Sequence, residues 1–292
     1  MITIASWNVR GLNSVAHHAV RQFVREKGVQ FLGLLETRVR RGNILSVRAG
    51  LLPSWSWFDD YTGPGGRIWL AWDEAEVGVE VLMGGQFIHC RLLNKRTLTT
   101  YLTSVVYGEC DPIRRRLLWG ELLQISGAIV DVPWCVLGDF NIVLDASESC
   151  GRVAEVTHAM DEFKAFISDA VLVHLPFTGC PYSWHNCSEG SRSLWRCLDR
   201  VLVNDAWLDI WPHSSYLSSL PQTSDHSPLV LLHYRKKGFL LPNFLLLWKT
   251  RSKRSFSLRN IFPSNKFKQN DVVYFFCYDF ILLLKESYDI KN

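Results

Sequence analysis

Trp134-Cys135-Val136-Leu137-Gly138-Asp139-Phe140-Asn141 is the stretch that decides how this chain is read. A short apolar run, suited to a buried strand, gives way at once to a glycine, a carboxylate and a carboxamide. Two more apolar runs end in the same manner, Ile2–Ala5 leading to Asn8 and Phe31–Leu35 leading to Glu36. A fourth polar cluster, Thr223-Ser224-Asp225-His226-Ser227, precedes the apolar run Pro228–Leu232. Strands that deliver Asn8, Glu36, Asp139, Asn141 and the Asp225-His226 pair to one sheet edge suit a hydrolytic site built around a hard metal ion.

Working outward, strand-like runs alternate with helical patterns. Ser14–Lys27 carries Val15, Ala19, Val20, Phe23 and Val24 at helical spacing, with Ser14 as a cap and Gly28 as a stop. A Gly-Pro-Gly-Gly loop at 63–66 precedes strands expected at Ile68–Trp72, Val77–Leu82, Phe87–Leu93 and Leu98–Tyr107. Ile113–Gly127 and Thr157–Ala170 read as amphipathic helices, and short strands are expected at Tyr182–His185, Leu198–Val203 and Leu229–His233. The mixture predicts an α/β fold with two sheets and outer helices.

Composition bounds the rest. Of 292 residues, 48% are hydrophobic, enough for a sizeable core. The net charge of +4 is unevenly placed, because residues 235–292 hold 12 of the 32 Lys/Arg and only 4 of the 28 Asp/Glu. Residues 1–234 are therefore net acidic, and the basic character gives no support for nucleic-acid binding by the main domain. The tail is expected to lie outside the fold; its apolar segment Val272–Leu284 is too short for a membrane span, which needs about 20 residues, so no membrane partner is implied. Eight scattered cysteines without a C-x-x-C pair read as reduced thiols of a cytosolic or nuclear protein. A zinc site from Cys180, His185, Cys187 and Cys197 fits no usual ligand spacing.

Each candidate residue also has a bland reading. Glu36 is a natural first ligand for Mg²⁺, which prefers oxygen donors and keeps several waters; taken alone it reads first as an exposed carboxylate just past a strand end. Asp139 and Asn141, two apart, share one side of an extended segment, where they suit activation of a water and a hold on that water or a phosphate oxygen. The same residues suit an Asx-rich turn. Asp225-His226 offers a carboxylate that fixes an imidazole tautomer or an N-cap beside a surface histidine. Trp7 reads as core. Trp184 reads as core, with base stacking as the sharper option, and Arg114-Arg115-Arg116 as the solvated face of a helix, with a phosphate-binding patch as the alternative.

Taken in order, Ser-Trp-Asn-Val-Arg-Gly-Leu (6–12), Leu-Leu-Glu-Thr (34–37), Val-Val-Tyr-Gly (105–108), Gly-Asp-Phe-Asn (138–141), Leu-Asp-Arg-Val-Leu-Val (198–203) and Ser-Asp-His-Ser-Pro-Leu (224–229) resemble the endonuclease/exonuclease/phosphatase superfamily. Tyr-Ser-Trp at 182–184, with the last two motifs, is similar to the apurinic/apyrimidinic-type endonuclease domain of plant non-LTR (LINE-type) retrotransposons. The resemblance covers about residues 1–234 and implies a DNase I-like four-layer α/β sandwich, two mixed β-sheets flanked by helices. It implies a Mg²⁺-dependent phosphodiesterase, Mn²⁺ substituting, that acts on DNA in the nucleus or cytoplasm and leaves a 3′-hydroxyl.

Residue by residue, it implies Glu36 and Asn8 on the metal with Asp225 in support, Asp139 on the attacking water and Asn141 on that water or the phosphate. Tyr107 would touch the phosphate, and Asp199 would pair with His226. Arg10 stands where DNA-repair members carry a carboxylate, so a repair-type metal geometry is in doubt; contact with DNA phosphate is the role left for it. Asp225 and Asp199 remain alternatives for orienting His226. Other readings share the motifs: a phosphatase or phosphodiesterase on phosphoinositides, sphingolipids or RNA, an inactive remnant, or a domain retained for DNA binding. No reverse-transcriptase signature follows Tyr234, so an endonuclease domain without its polymerase is expected.

Overall fold

The computed structural model describes residues 2–233 except 13, 60–66, 130 and 152–156. The tail and the Gly63–Gly66 loop lie outside the described residues. In chain order the strands are β1 (Ile4–Asn8), β2 (Phe31–Leu35), β3 (Ser56–Asp59), β4 (Ile68–Trp72), β5 (Val77–Met83), β6 (Phe87–Asn94), β7 (Thr99–Tyr107) and β8 (Trp134–Asp139). They continue as β9 (Ser149–Cys150), β10 (Leu172–His174), β11 (Phe177–Gly179), β12 (Trp184–His185), β13 (Trp195–Arg196), β14 (Asp199–Asn204), β15 (Ser215–Ser218) and β16 (Leu229–Leu232). The helices are α1 (Ser14–Lys27), α2 (Ile44–Leu51), α3 (Pro112–Ala128), α4 (His158–Asp169) and α5 (Asp205–Ile210).

One sheet runs β11-β15-β16-β1-β2-β4-β3 and the other β10-β14-β8-β7-β6-β5, and both mix parallel and antiparallel pairs. The sheets face each other, with β1 and β2 against β8 and β4 against β7. Their approach is close: a Cβ on Gly33 of β2 would stand 2.5 Å from Val105 Cγ1 of β7. On the outer face of the first sheet, Ala5, Trp7, Leu32, Leu34 and Trp69 join Val20 and Phe23 of α1 in one apolar cluster. On the outer face of the second, Trp134, Val136 and Leu202 pack on Leu118 and Leu122 of α3 and Phe163 and Phe166 of α4. The result is the helix–sheet–sheet–helix sandwich.

Local chemistry accounts for the element ends. Gly28 takes φ +59 and stops α1 in the left-handed conformation glycine favours. Asp111 accepts from Ile113 N at 2.8 Å and Pro112 occupies the first turn of α3, a start signal from both sides. Expected and observed strands agree within a residue or two for β4 to β8, β14 and β16, while the expected strand Tyr182–His185 shrinks to Trp184–His185. That pair joins β13 and β9 in a small third sheet, order β12-β13-β9.

Candidate active site

The strand pleat carries the site. In β1, Ala5 and Trp7 face α1, so Ser6 and Asn8 face the other sheet; in β8, Trp134 and Val136 face α3 and α4, so Leu137 and Asp139 face the first sheet. Alternation in both sheets therefore turns Asn8 and Asp139 toward each other, and Asn8 Nδ2 donates to Asp139 Oδ2 at 2.9 Å with both side chains fully buried. Within the second sheet, Tyr107, Asp139 and Asp199 sit side by side across β7, β8 and β14 because their registers pair Tyr107 with Asp139 and Asp139 with Asp199. Paired residues share a face, so three strands present their polar ends together.

His226 completes the group. Its Nδ1 lies 2.8 Å from Asp199 Oδ2 and its Nε2 lies 3.8 Å from Asp139 Oδ2. Asp199, rather than the adjacent Asp225, orients the ring, and it holds the proton on Nδ1. The His226 main chain is fixed too: Trp7 Nε1 donates to His226 O at 3.1 Å, and His226 N donates to Ser224 Oγ, which donates to Asn8 O at 2.7 Å. Burial resists ionisation of Asp139, and the neighbouring Asp199 adds to this, so its carboxyl is pushed up to about 7. Burial also disfavours the imidazolium, but the Asp199 and Asp139 charges and the Asp199 hydrogen bond outweigh that and raise His226 to about 9. One proton acceptor and one proton donor thus face each other near neutral pH, across a gap too long for a direct hydrogen bond.

Asn141 departs from the expected geometry. Its φ is +53, so it is not on an extended segment with Asp139. Instead Asn141 N donates to Asp139 Oδ1 at 2.9 Å, an Asx turn, and Asn141 Nδ2 donates to Gly108 O at 2.8 Å. The turn reading and the site reading hold together: the turn is what keeps Asn141 beside Asp139.

Glu36 forms the outer rim. Pleating would send it to the helix side with Leu32 and Leu34, but its φ of +48 swings the side chain off that course. Arg10, Glu36, Arg38 and Asn141 all take left-handed backbone, which a non-glycine residue holds at a cost. Glu36 Oε1 accepts from Tyr107 OH at 2.9 Å and from Asn8 Nδ2 at 3.2 Å, and Arg38 holds Oε2. Burial opposes its ionisation, yet the hydrogen bonds from Asn8, Arg38 and Tyr107 and the Arg10 charge outweigh that and keep its carboxyl below the usual carboxylate range. Asp225 faces the same rim: Arg10 Nη1 lies 2.9 Å away and Trp184 Nε1 donates to it at 3.0 Å. Trp184 is half-buried, packed against Val143, Met160 and Leu198.

Two donor sets compete for a cation. Among the described residues, Asp139, Asp199 and His226 are the one group of three His/Cys/Asp/Glu side chains whose ligand atoms lie within 4.8 Å of one another. That group is fully buried and Nδ1 of its imidazole is already engaged with Asp199. A hard divalent ion that keeps several waters suits the Glu36–Asp225 rim better: both are oxygen donors, both are partly open, and the pair already attracts the guanidinium of Arg10. The rim residues fit such an ion. Asn8, expected as a ligand, points its nitrogen at Glu36 and Asp139 and accepts from Arg10 N through Oδ1. A flipped amide would place its oxygen against two carboxylates, so in this structure Asn8 stands as the hydrogen-bonded link between the Glu36 rim and the buried triad.

Several supporting residues escaped sequence reading. Arg115, expected on a solvated face, is buried and donates through Nη1 to Glu109 O, Cys110 O and Asn141 O, bracing two site loops. Its neighbours differ: Arg116 pairs with Glu162 and Arg114 is exposed. Ser183 Oγ accepts from Leu198 N and Asp199 N, holding the start of β14. Arg200, fully buried, pairs with Glu148 beneath the Phe163 ring. Helical spacing alone could not pick Arg115 out of three arginines; its partners are main-chain oxygens of two loops outside the helix.

The Endonuclease/Exonuclease/phosphatase family matches residues 5–226. The chain belongs to this family. Its members are hydrolases, nucleases and phosphatases among them, and typically depend on a divalent metal. No curated protein matches the chain. Among solved structures, the endonuclease domain of TRAS1, a telomere-specific non-LTR retrotransposon, is 14% identical with a TM-score of 0.62, over 81% of this chain and 100% of that one. A Bacteroides thetaiotaomicron mannosyl-6-phosphatase is 16% identical with a TM-score of 0.53, over 80% and 100%. D. rerio TDP2 complexed with a single-strand DNA product is 11% identical with a TM-score of 0.54, over 80% and 98%. At such identities the likeness is one of fold, the DNase I-like sandwich of the Endonuclease/Exonuclease/phosphatase family.

Proposed function

We propose that this domain is a Mg²⁺-dependent phosphodiesterase that nicks DNA and leaves a 3′-hydroxyl, of the apurinic/apyrimidinic-type branch carried by plant LINE-type retrotransposons, acting in the nucleus. The observation that carries hydrolysis is the buried Asp139–His226–Asp199 triad beside the Glu36 rim. DNA as substrate is supported by Tyr-Ser-Trp at 182–184 with the last two motifs, which resemble the retrotransposon branch, and by the fold shared with a retrotransposon endonuclease domain.

Asp139 takes the proton of an attacking water. His226, protonated and aimed by Asp199, neutralises charge that develops on the phosphate oxygens. An amide has two N–H donors; Asn141 gives one to Gly108, and the other is assigned to the water or a phosphate oxygen. Tyr107, tied to Glu36, places its hydroxyl at the phosphate, and Arg10 and Trp184 meet the DNA. Held by Glu36 with Asp225, Mg²⁺, or Mn²⁺ in its place, supplies Lewis-acid stabilisation of the phosphate charge.

The deciding assay uses supercoiled plasmid. Mg²⁺ should convert it to open circles whose ends a polymerase extends, EDTA should stop the conversion, and small phosphomonoesters should release little inorganic phosphate. Phosphate release without nicking would reassign the site to monoester hydrolysis. The rate should also follow a bell-shaped pH profile. Activity requires ionised Asp139 and protonated His226, so it climbs through about pH 7 and falls through about pH 9, both limbs being properties of the coupled triad. A rate that goes on rising beyond pH 10 would remove the His226 imidazolium from its charge-neutralising role.

A further inference from the structure

Arg10 bridges the two carboxylates to which the metal is assigned. Its Nη1 lies 2.9 Å from Asp225 Oδ2 and its Nε 3.6 Å from Glu36 Oε2. The contact is held from the backbone: Arg10 has φ +49, Gly11 follows at φ +114, and Arg10 N donates to Asn8 Oδ1 at 3.2 Å. The other guanidinium on this rim, Arg38, is paired with Glu36. Among the described residues, Arg10 is the side chain that pairs with both acids.

We propose that a divalent cation enters this site by exchange with Arg10. While the metal is absent, Arg10 is the resident counter-ion paired with both Glu36 and Asp225. A divalent ion bound to the same oxygens repels the guanidinium, and the side chain, already 42% exposed, has solvent to move into. Metal affinity is lowered by the work of displacing Arg10, and each loading event releases a guanidinium suited to bidentate contact with phosphate. Metal and an anionic substrate thus favour each other's binding. The inference rests on the metal reading of Glu36 and Asp225 and is independent of whether the substrate is DNA.

The test needs neither substrate nor turnover. Mn²⁺ is titrated into the full chain, and free Mn²⁺ is read by electron paramagnetic resonance; melting curves check that each variant is folded. Because Arg10 is partly solvated, screening limits the effect, and Arg10→Gln should tighten Mn²⁺ binding about tenfold. Arg10→Lys, which keeps the charge, should stay within about twofold of wild type. Equal or weaker binding in Arg10→Gln overturns the exchange. Glu36→Gln separates this failure from failure of the metal reading: it should abolish the site in either background, and unchanged Mn²⁺ binding there would remove Glu36 as ligand and the exchange with it. A second measurement needs no neutral variant. The Arg10 Nε–H resonance of the wild-type protein, assigned with Arg10→Lys, should shift on addition of diamagnetic Mg²⁺, and an unmoved resonance at saturating Mg²⁺ overturns the proposal.

Discussion

Asp139→Asn is expected to slow metal-dependent hydrolysis by about a thousandfold, a typical contribution of a positioned general base, with a stability loss of only about 1–3 kcal/mol, the cost of one buried donor left unpaired. Asn8 Nδ2 donates to Oδ2 and Asn141 N to Oδ1, so the single amide oxygen keeps one of these hydrogen bonds and the amide nitrogen faces the other donor. What disappears is the basic oxygen and, with it, the repulsion between two carboxylates that the strand register places side by side. The prediction has two readouts, a nicking rate and a melting temperature, and they should part company. His226→Gln should cost on the order of a hundredfold, since it keeps a donor for Asp199 and loses the imidazolium. Nicking within tenfold of wild type in Asp139→Asn would remove Asp139 as the base. The choice of conservative replacements matters, because truncating His226 to alanine would leave Asp199 buried and unpaired, a loss of about 3–5 kcal/mol that would confuse chemistry with folding.

The second large effect is one of stability. Gly138→Ala should destabilise the domain by roughly 3 kcal/mol or more, the sum of a forbidden backbone and a backbone clash. Gly138 sits inside β8 at φ +136, and a Cβ there would meet Val106 O of the neighbouring strand at 2.2 Å. Neither strand can yield without moving Asp139, the next residue. The midpoint of thermal unfolding should fall by on the order of 10 °C. Gly120→Ala is the control: it lies in α3 with nothing within 4 Å of the added carbon, and alanine should raise stability by about 0.5–1 kcal/mol in a helix interior. If Gly138→Ala melts with wild type, the close approach of β7 and β8 is not as described.

How legible the site was depended on whether its geometry is local. Asn8 and Asp139 could be placed from the pleat, because alternation along each apolar run already sorts core-facing from partner-facing positions. Glu36 could be named but not aimed: nothing in Leu-Leu-Glu-Thr announces a left-handed residue. Asn141 was aimed wrongly, since the extended segment that would align it with Asp139 ends at Asp139 itself and turns on that residue's own carboxylate. The partner of His226 was undecidable, because it follows from the register of β14 against β8, a pairing between segments sixty residues apart in the chain (Asp139 with Asp199). Short elements with two to four residues, β3, β9, β11, β13 and β15, and the helices α2 and α5, carry too little periodicity to stand out. Helical spacing likewise gave no hint that Arg115 turns inward to three carbonyls.

The bonds from Asn8 to Asp139 and from Trp7 to His226 tie β1 to a strand of the opposite sheet and to the segment leading into β16. A chain still being synthesised holds Asn8 and Glu36 long before Asp199 and His226 exist. Until residue 226 has left the ribosome and β16 has closed on β1, Asp139 and Asp199 have no imidazole between them. The distance between these residues along the chain thus acts as a clock. A hydrolase assembled in this way gains the whole of its proposed triad in one step, when β16 closes on β1.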